Sequence, residues 1–181
     1  PNEKNHKLII NQELIGCSIK NVSYKYPKSD DLSLKNISLN IQNGEKLCIT
    51  GKSGSGKSTL ADIVSSLSSP STGGLYFNSE LINNKNSQNK WRKKISYIPQ
   101  NYTIISDDII KNIIFDNNKI GVDMRRIKKC IEVTKLKQVI NINNQNFMNT
   151  AASKLSGGQK QRLNIARGIY KKADIYIFDE I

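Results

Sequence analysis

The stretch Gly51-Lys52-Ser53-Gly54-Ser55-Gly56-Lys57-Ser58-Thr59, here called the phosphate loop, decides the fold of this chain. It matches the pattern G-x-x-x-x-G-K-[ST], whose glycines let backbone N–H groups approach a phosphate without a Cβ in the way. An apolar run over 46–50 predicts a strand before the loop, and apolar residues at helical spacing predict a helix after it. The predicted apolar face of this helix consists of Leu60, Ile63, Val64 and Leu67.

The phosphate loop predicts binding of ATP together with Mg²⁺. Lys57 is expected to reach the β- and γ-phosphates, and the Ser58 hydroxyl is expected to coordinate the metal. The N-terminus of the following helix adds the positive end of its dipole. An accidental Gly/Ser-rich turn is the alternative, but the spacing and both flanking elements argue against it. The loop residues expected to bind the nucleotide are Gly51, Ser53, Gly54, Ser55, Gly56, Lys57, Ser58 and Thr59.

Two adjacent carboxylates, Asp179 and Glu180, end the apolar run 175–178, which predicts a buried parallel strand. Ligands of open α/β sheets bind outside the carboxyl ends of the strands. Asp179 is expected to face Mg²⁺ and Glu180 to face the attacking water of an in-line phosphoryl transfer. Such a run is a weak signal by itself, but together with the phosphate loop it predicts an ATPase.

A second glycine-rich segment, 155–159, reads Leu-Ser-Gly-Gly-Gln and is here called the signature. Ser156 stands at a capping position for a helix predicted to reach residue 169, and Gly157 and Gly158 expose backbone N–H groups. The segment therefore predicts a second anion site. A plain glycine-rich turn before an amphipathic helix is the ordinary alternative.

Periodicity predicts the remaining elements. Strands are predicted over 17–26, 34–41, 75–77 and 95–98, the first two antiparallel, with a break over 70–74 and a polar loop over 81–89. Helical spacing from 109 to 140 predicts a helical insert, with Asp107-Asp108 and Asp123 as candidate caps.

Length and composition limit the size of the fold, the kinds of partner and the cellular compartment. A chain of 181 residues suits one α/β domain with a small appendage, and its net charge of +13 permits any phosphate-bearing partner or a Lys-rich solvated surface. Cys17, Cys48 and Cys130 lack a C-x-x-C spacing and are expected to be small buried thiols of a reducing compartment, while His6 receives no role. No run approaches the roughly 20 apolar residues of a bilayer span, so any membrane connection is expected through a partner or an upstream segment.

The phosphate loop, the signature and the strand ending in Asp179-Glu180, in this order, resemble the ATP-binding cassette (ABC) ATPases, with similarity from about Ile19 to the last residue. The resemblance implies an α/β fold with a RecA-like P-loop NTPase core, an antiparallel β subdomain and an α-helical subdomain at about 101–154. It places an ABC-type ATP-binding domain over 17–181, after a leader over 1–16. In this family the signature completes the site of the opposite subunit. The resemblance thereby assigns four signature residues to the nucleotide that the other protomer holds: Ser156, Gly157, Gly158 and Gln159.

The resemblance also implies further roles. Tyr26 matches the aromatic residue that stacks on adenine, with Tyr24 the less favoured candidate and an ordinary strand-end tyrosine the alternative. Gln100 matches the glutamine that meets Mg²⁺ and the attacking water while its loop touches a transmembrane partner. The implied catalytic residues are Glu180, Gln100 and Lys57, and the implied metal ligands are Ser58, Gln100 and Asp179.

Three departures from the family limit what can be carried over. Relatives continue past the glutamate with Pro or Ala and a Ser-Ala-Leu-Asp segment, whereas Ile181 follows here, and their γ-phosphate histidine lies further downstream. The C-terminal portion of the domain is therefore expected to be absent, and the chain as given is expected to bind ATP, hydrolyse it slowly and expose apolar surface. Exporters also carry a Gly-Glu-x-Gly stretch just before the signature, whereas 150–154 reads Thr-Ala-Ala-Ser-Lys here. Either this loop is short in the protein, or residues are missing from the sequence.

The implied function is ATP hydrolysis that powers transport at the cytoplasmic face of the cell membrane. The implied partners are a transmembrane domain and a second nucleotide-binding domain, identical or paired, and no nucleic acid is expected. The segment 91–115 resembles exporters, and to some extent flippases of lipid-linked oligosaccharides. A soluble ABC ATPase acting on ribosomes or DNA is the alternative, although no long coiled coil separates the two glycine-rich motifs. A purely regulatory binding domain is a third possibility. Transmembrane helices before Pro1 would distinguish a transporter from a soluble ATPase.

Overall fold

Two units make up the chain in the computed structural model, Pro1–Trp91 and Arg92–Ile181. Residues 16–101, 103–115, 121–138, 140 and 151–180 are described. His6 and all of the expected leader except Gly16 lie outside the described residues. None of the helices in the described part of the chain combines the length and the apolar composition that a bilayer crossing requires.

The first unit is organised around an antiparallel sheet. Its elements are β1 (Gly16–Lys25), β2 (Leu32–Gln42), α1 (Lys57–Val64), β3 (Thr72–Phe77), β4 (Glu80–Leu81) and most of α2 (Lys85–Lys94). The strand order is β2-β1-β3-β4, and β1 pairs antiparallel with β2, which confirms the predicted pair. The register shifts between Ile19 and Val22, where the alternation of the sequence also breaks.

One face of the sheet forms the core of this unit. Alternation in β1 buries Cys17, Ile19 and Val22, and burial raises the pKa of the Cys17 thiol to about 12. Trp91 is almost fully buried and donates from Nε1 to the Val64 carbonyl at 2.8 Å.

Cys130, in the second unit, is also buried, and burial raises the pKa of its thiol. Cys48 is exposed, so the expectation of a buried thiol was wrong there.

The expected polar loop over 81–89 was wrong, because most of it belongs to α2. Asn84 and Ser87 cap this helix reciprocally: Ser87 N donates to Asn84 Oδ1 at 2.9 Å, and Asn84 N donates to Ser87 Oγ at 3.2 Å. Trp91 is the one buried residue of the helix. A single anchor leaves no apolar periodicity to detect, although the Asn-x-x-Ser spacing was a usable signal of a helix start.

Two further expectations in this unit were wrong. Residues 46–50 form no regular strand, and Leu47 and Ile49 remain 44% and 45% exposed, since none of the described strands pairs with them. Leu67 does not belong to the apolar face of α1. The helix ends in a Schellman motif, in which Ser66 has φ 58° and Leu67 N donates to the Asp62 carbonyl at 2.9 Å, so Leu67 points away and is exposed.

The second unit places helices beside a parallel pair of strands. Its elements are β5 (Ile95–Ile98), α3 (Ile109–Ile114), α4 (Met124–Val133), α5 (Gly157–Tyr170) and β6 (Ile175–Phe178), with short 3₁₀ turns at Leu136–Gln138 and Ala152–Lys154. β6 pairs in parallel with β5, which confirms that 175–178 is a parallel strand. The expected burial of β6 was wrong, because β5 is its one neighbour among the described strands and Phe178 remains 46% exposed.

The predicted helix caps are confirmed in the described residues. Asp108 accepts from Ile110 N and Lys111 N at the start of α3, and Asp123 accepts from Arg126 N at the start of α4. These helices and α5 bury a cluster of apolar side chains, chiefly Ile109, Ile110, Ile113, Ile127, Ile131, Leu163 and Ala166. The helices α3 and α4 thus share one apolar core with α5.

At Gly168 the helix α5 packs closely against β5. A Cβ at this position would overlap the Ile98 side chain, lying 2.7 Å from its Cδ1, and would lie 3.2 Å from Ser96 Oγ. Gly168→Ala is therefore expected to lower the free energy of unfolding by about 1–3 kcal/mol, the usual cost of overpacking. Urea denaturation of the two proteins measures the difference.

Gly158→Ala on the same helix is the matched control, because a Cβ there would have nothing within 4 Å. Alanine is favoured over glycine inside a helix by about 1 kcal/mol, so this variant should be at least as stable as the parent. Equal stability of the two alanine variants would contradict the close packing of Gly168.

Candidate functional site

The phosphate loop is shaped by glycines in conformations that other residues rarely adopt. Gly54 and Gly56 have φ angles of 77° and 90°, in the left-handed region. A Cβ at Gly56 would lie 2.7 Å from the Ser33 carbonyl oxygen and 2.9 Å from Leu34 Cδ2. The turn into α1 therefore requires glycine at this position.

The loop fits a polyphosphate. Lys57 Nζ donates to the carbonyl oxygens of Gly51 and Lys52 at 3.0 Å each, which lays the ammonium across the loop. Gly56 caps α1 without a side-chain hydrogen bond, so the positive end of the helix dipole opens onto the loop. At Gly51 a Cβ would lie 2.7 Å from Ser55 Oγ and would narrow the space inside the phosphate loop. Backbone donors, a lysine and a helix N-terminus are the elements of a phosphate site.

Tyr26 lies beside the phosphate loop. Its hydroxyl is 2.9 Å from Thr59 Oγ1, which is also 3.1 Å from Ser33 Oγ. The Tyr26 ring remains 44% exposed and meets the Tyr24 ring edge-on, with centroids 4.9 Å apart. The hydroxyl is thus occupied while much of the ring stays accessible, which is compatible with the predicted stacking on adenine.

In the second unit the carboxyl ends of β5 and β6 bring together two of the three predicted catalytic residues, Gln100 and Glu180. Gln100 Nε2 donates to Glu180 Oε2 at 2.6 Å, across 80 residues of chain. The Asp179 backbone N–H donates to the Ile98 carbonyl at 3.0 Å, which extends the parallel pairing as far as the acidic pair. The oxygens of Gln100, Asp179 and Glu180 are ligands of the type that Mg²⁺ prefers.

Tyr97 belongs to this site although the sequence analysis missed it. Its hydroxyl donates to Asp179 Oδ2 at 3.0 Å. Asn164, buried on α5, similarly donates to the Pro99 carbonyl at 3.3 Å and holds the turn that carries Gln100. A tyrosine inside a short apolar strand was the one available signal, and it pointed equally well to an ordinary core residue.

The signature begins α5 with a capping box. Ser156 N donates to Gln159 Oε1 at 2.8 Å, and Gln159 N donates to Ser156 Oγ at 3.4 Å. A Cβ at Gly157 or Gly158 would have nothing within 4 Å. The Gln159 side chain therefore shapes its own helix, and the two glycines leave room for a large anion to approach the backbone.

The family model described as ABC transporter matches residues 34–181. The nisin transport ATP-binding protein NisT of Lactococcus lactis subsp. lactis is 34% identical over 179 residues, which cover 95% of this chain and 30% of NisT. The ergothioneine transport ATP-binding protein EgtV of Helicobacter pylori (strain G27) is 35% identical over 165 residues, or 90% of this chain and 73% of EgtV.

A solved structure of a bacterial Atm1-family ABC exporter with ATP bound superposes with a TM-score of 0.80 at 26% identity. The superposition covers 96% of this chain and 30% of the exporter. This chain therefore spans less than a third of the length of both NisT and the exporter.

Proposed function

The chain belongs to the ABC transporter family and has the ABC ATPase fold, and on this basis we propose that it hydrolyses Mg-ATP to power an exporter. In this proposal residues 17–181 are one ATP-binding domain, with a helical subdomain at about 101–154. It works at the cytoplasmic face of the membrane with a transmembrane domain and a second ATP-binding domain. Export is the proposed direction, and lipid-linked oligosaccharides are the first substrate class to assay.

The observation that carries the proposal is the pairing of Gln100 with Glu180 at the carboxyl edge of two parallel strands. A water molecule inserted between them would accept a hydrogen bond from the Gln100 amide and donate one to the Glu180 carboxylate. Glu180 would then take a proton from this water as the water oxygen bonds to the γ-phosphorus and the bond to the β,γ-bridging oxygen breaks, which releases ADP. Gln100 would keep the water oriented. An amide and a carboxylate in this arrangement would orient the attacking water and accept its proton.

The phosphate loop supplies the other half of the proposed chemistry. Lys57 and the N-terminus of α1 would offset the charge of the β- and γ-phosphates, and Tyr26 would stack on adenine. Where Mg²⁺ is bound, Ser58, Gln100 and Asp179 are its proposed ligands, and the ion supplies positive charge that balances the phosphate oxygens. Tyr97 would keep the Asp179 carboxylate in one orientation.

The signature is proposed to act on the nucleotide of the opposite protomer, and paired variants test this in the full-length protein. Lys57→Ala disables the phosphate loop, and Gly157→Asp places a carboxylate at the proposed anion site. Heterodimers that carry one variant on each protomer retain one complete site if the signature acts in trans. We expect them to hydrolyse ATP at up to about half the wild-type rate, since one site of two is intact, whereas each parent homodimer should be inactive.

The reciprocal heterodimer is the control. It combines a wild-type protomer with a protomer that carries both substitutions, so a signature acting in trans leaves neither site complete. If this heterodimer is the active one, and the first is not, the signature acts within its own protomer and the proposal is wrong. Tandem purification on two different affinity tags isolates each heterodimer for a phosphate-release assay.

A further inference from the structure

Arg167 ties the signature helix to the backbone that follows Gln100. It lies on α5, where its Nε donates to the Asn112 carbonyl at 2.8 Å. Its Nη2 donates to the Thr103 carbonyl at 3.1 Å and to Asn112 Oδ1 at 3.2 Å. The guanidinium also lies over the Phe115 ring, 4.6 Å from its centroid. Burial lowers the pKa of Arg167, and several fixed acceptors surround its charge.

Asn112 continues this connection through the segment 103–108. It is fully buried on α3, and its Nδ2 donates to the carbonyls of Ser106 and Asp108 at 2.5 Å and 2.9 Å. Its Oδ1 accepts from Ile105 N at 3.0 Å as well as from Arg167. A buried amide with all of these partners leaves the backbone of 103–108 little freedom.

The far end of the same segment is joined to the residues that precede the signature. The Asp107 carbonyl accepts from Ala152 N at 2.8 Å, and Asp107 Oδ1 accepts from Ser153 N at 3.1 Å. Asp108 and Ala151 form an isolated antiparallel bridge. Hydrogen bonds from Ser153 lower the pKa of Asp107, so its carboxylate is the charged acceptor of this joint.

These contacts close a ring. From Gln100 the chain passes through 103–108, crosses to 151–153, enters the signature and returns along α5 to Arg167. The helix between Ser156 and Arg167 is a rigid rod about 16 Å long at 1.5 Å per residue. A displacement of 103–108 therefore cannot occur without movement of either the signature or α5.

We propose that Arg167, Asn112 and Asp107 are positioning residues that brace the Gln100 segment against the signature, so that neither can shift independently of the other. This inference rests on the proposed function for its consequence in hydrolysis, but the brace itself can be tested without ATP. None of the three residues is assigned a contact with nucleotide. Their effect is exerted through the backbone of 103–108 and 151–153.

Hydrogen exchange on the full-length protein tests the brace. Arg167→Lys keeps the charge but loses the forked contacts, and it should speed amide exchange by about tenfold or more at both 103–108 and 151–155. Asp107→Ala removes only the carboxylate that accepts from Ser153 N, next to the signature. It should speed exchange at Ser153 by about several-fold and leave Ile105 protected. Asp107 is an exposed residue, so this variant should fold even if the Arg167 variant does not.

Arg126→Lys is the matched control. Arg126 also reaches α5, donating from Nη2 to the Ile169 carbonyl at 2.9 Å and lying 5.4 Å from the Tyr170 ring, but it contacts neither joint of the brace. It should leave exchange at 103–108 and 151–155 unchanged even where it lowers the melting temperature. Unchanged exchange in both brace variants, or the same change in the control, would overturn the inference.

The rate of ATP hydrolysis then distinguishes a positioning role of Arg167 from a general effect on stability. For Arg167→Lys we expect kcat to fall by about tenfold while the Kd for ATP stays within about twofold, because orientation rather than binding is lost. A fall in kcat that the Arg126 control shares would overturn the positioning role. If the wild-type protein itself fails to hydrolyse ATP, the proposed function fails, and the exchange measurements still decide whether the brace exists.

Discussion

Glu180→Gln is expected to slow steady-state ATP hydrolysis by about 10²- to 10⁴-fold, the usual contribution of a general base. The substitution keeps the shape of the side chain and a hydrogen bond with Gln100, which lies 2.6 Å away. It removes the group that can take the proton of the attacking water. ATP affinity should change by less than about threefold, because binding depends on the phosphate loop and not on proton transfer. Phosphate release and equilibrium nucleotide binding on the full-length protein measure the two effects separately.

Asp174→Asn is the matched control for this prediction. Asp174 precedes the opposite end of β6, where its carboxylate meets Lys94 Nζ at 2.7 Å. An exposed ion pair of this kind is worth about 0–1 kcal/mol, and it lies away from the carboxyl edge. Its loss should leave the rate of hydrolysis unchanged within about twofold. A Glu180→Gln protein as active as this control would show that another group acts as the base.

Lys57→Ala is expected to weaken the binding of Mg-ATP by roughly 100-fold, since hydrogen bonds to charged groups contribute about 1.5–3 kcal/mol each. The lysine ammonium spans the phosphate loop through the carbonyls of Gly51 and Lys52. Its removal takes away a positive charge that the β- and γ-phosphates would otherwise meet. The rise in melting temperature that Mg-ATP produces should therefore almost disappear at concentrations that saturate the wild-type protein.

Lys52→Ala provides the comparison within the same loop. Lys52 contributes its backbone carbonyl to the Lys57 contact, and alanine preserves that carbonyl. The side chain is exposed, so its loss should weaken binding by no more than about threefold through general electrostatics. An undiminished thermal shift in the Lys57→Ala protein would contradict the assignment of the phosphate loop.

Local capping chemistry was readable from the sequence, because each cap needs only a few neighbouring residues. Asp108, Asp123 and Ser156 all cap the helices predicted for them. Helix α2 was missed because its apolar content is one anchor, Trp91, whose partners lie elsewhere in the unit. Periodicity reports a face of several apolar side chains, and a helix fixed at one point has no such face.

The sequence by itself determined the family and the motifs, because the phosphate loop and the signature are built from backbone conformations and caps within nine residues or fewer. Tertiary structure alone decided which distant groups meet. The contacts of Tyr97 with Asp179 and of Arg167 with Asn112 cross 82 and 55 residues of chain, and no periodicity records such pairs. It also decided that 46–50 forms no strand and that β6 is half exposed, since pairing and burial depend on which neighbours a strand has, and local sequence cannot specify them.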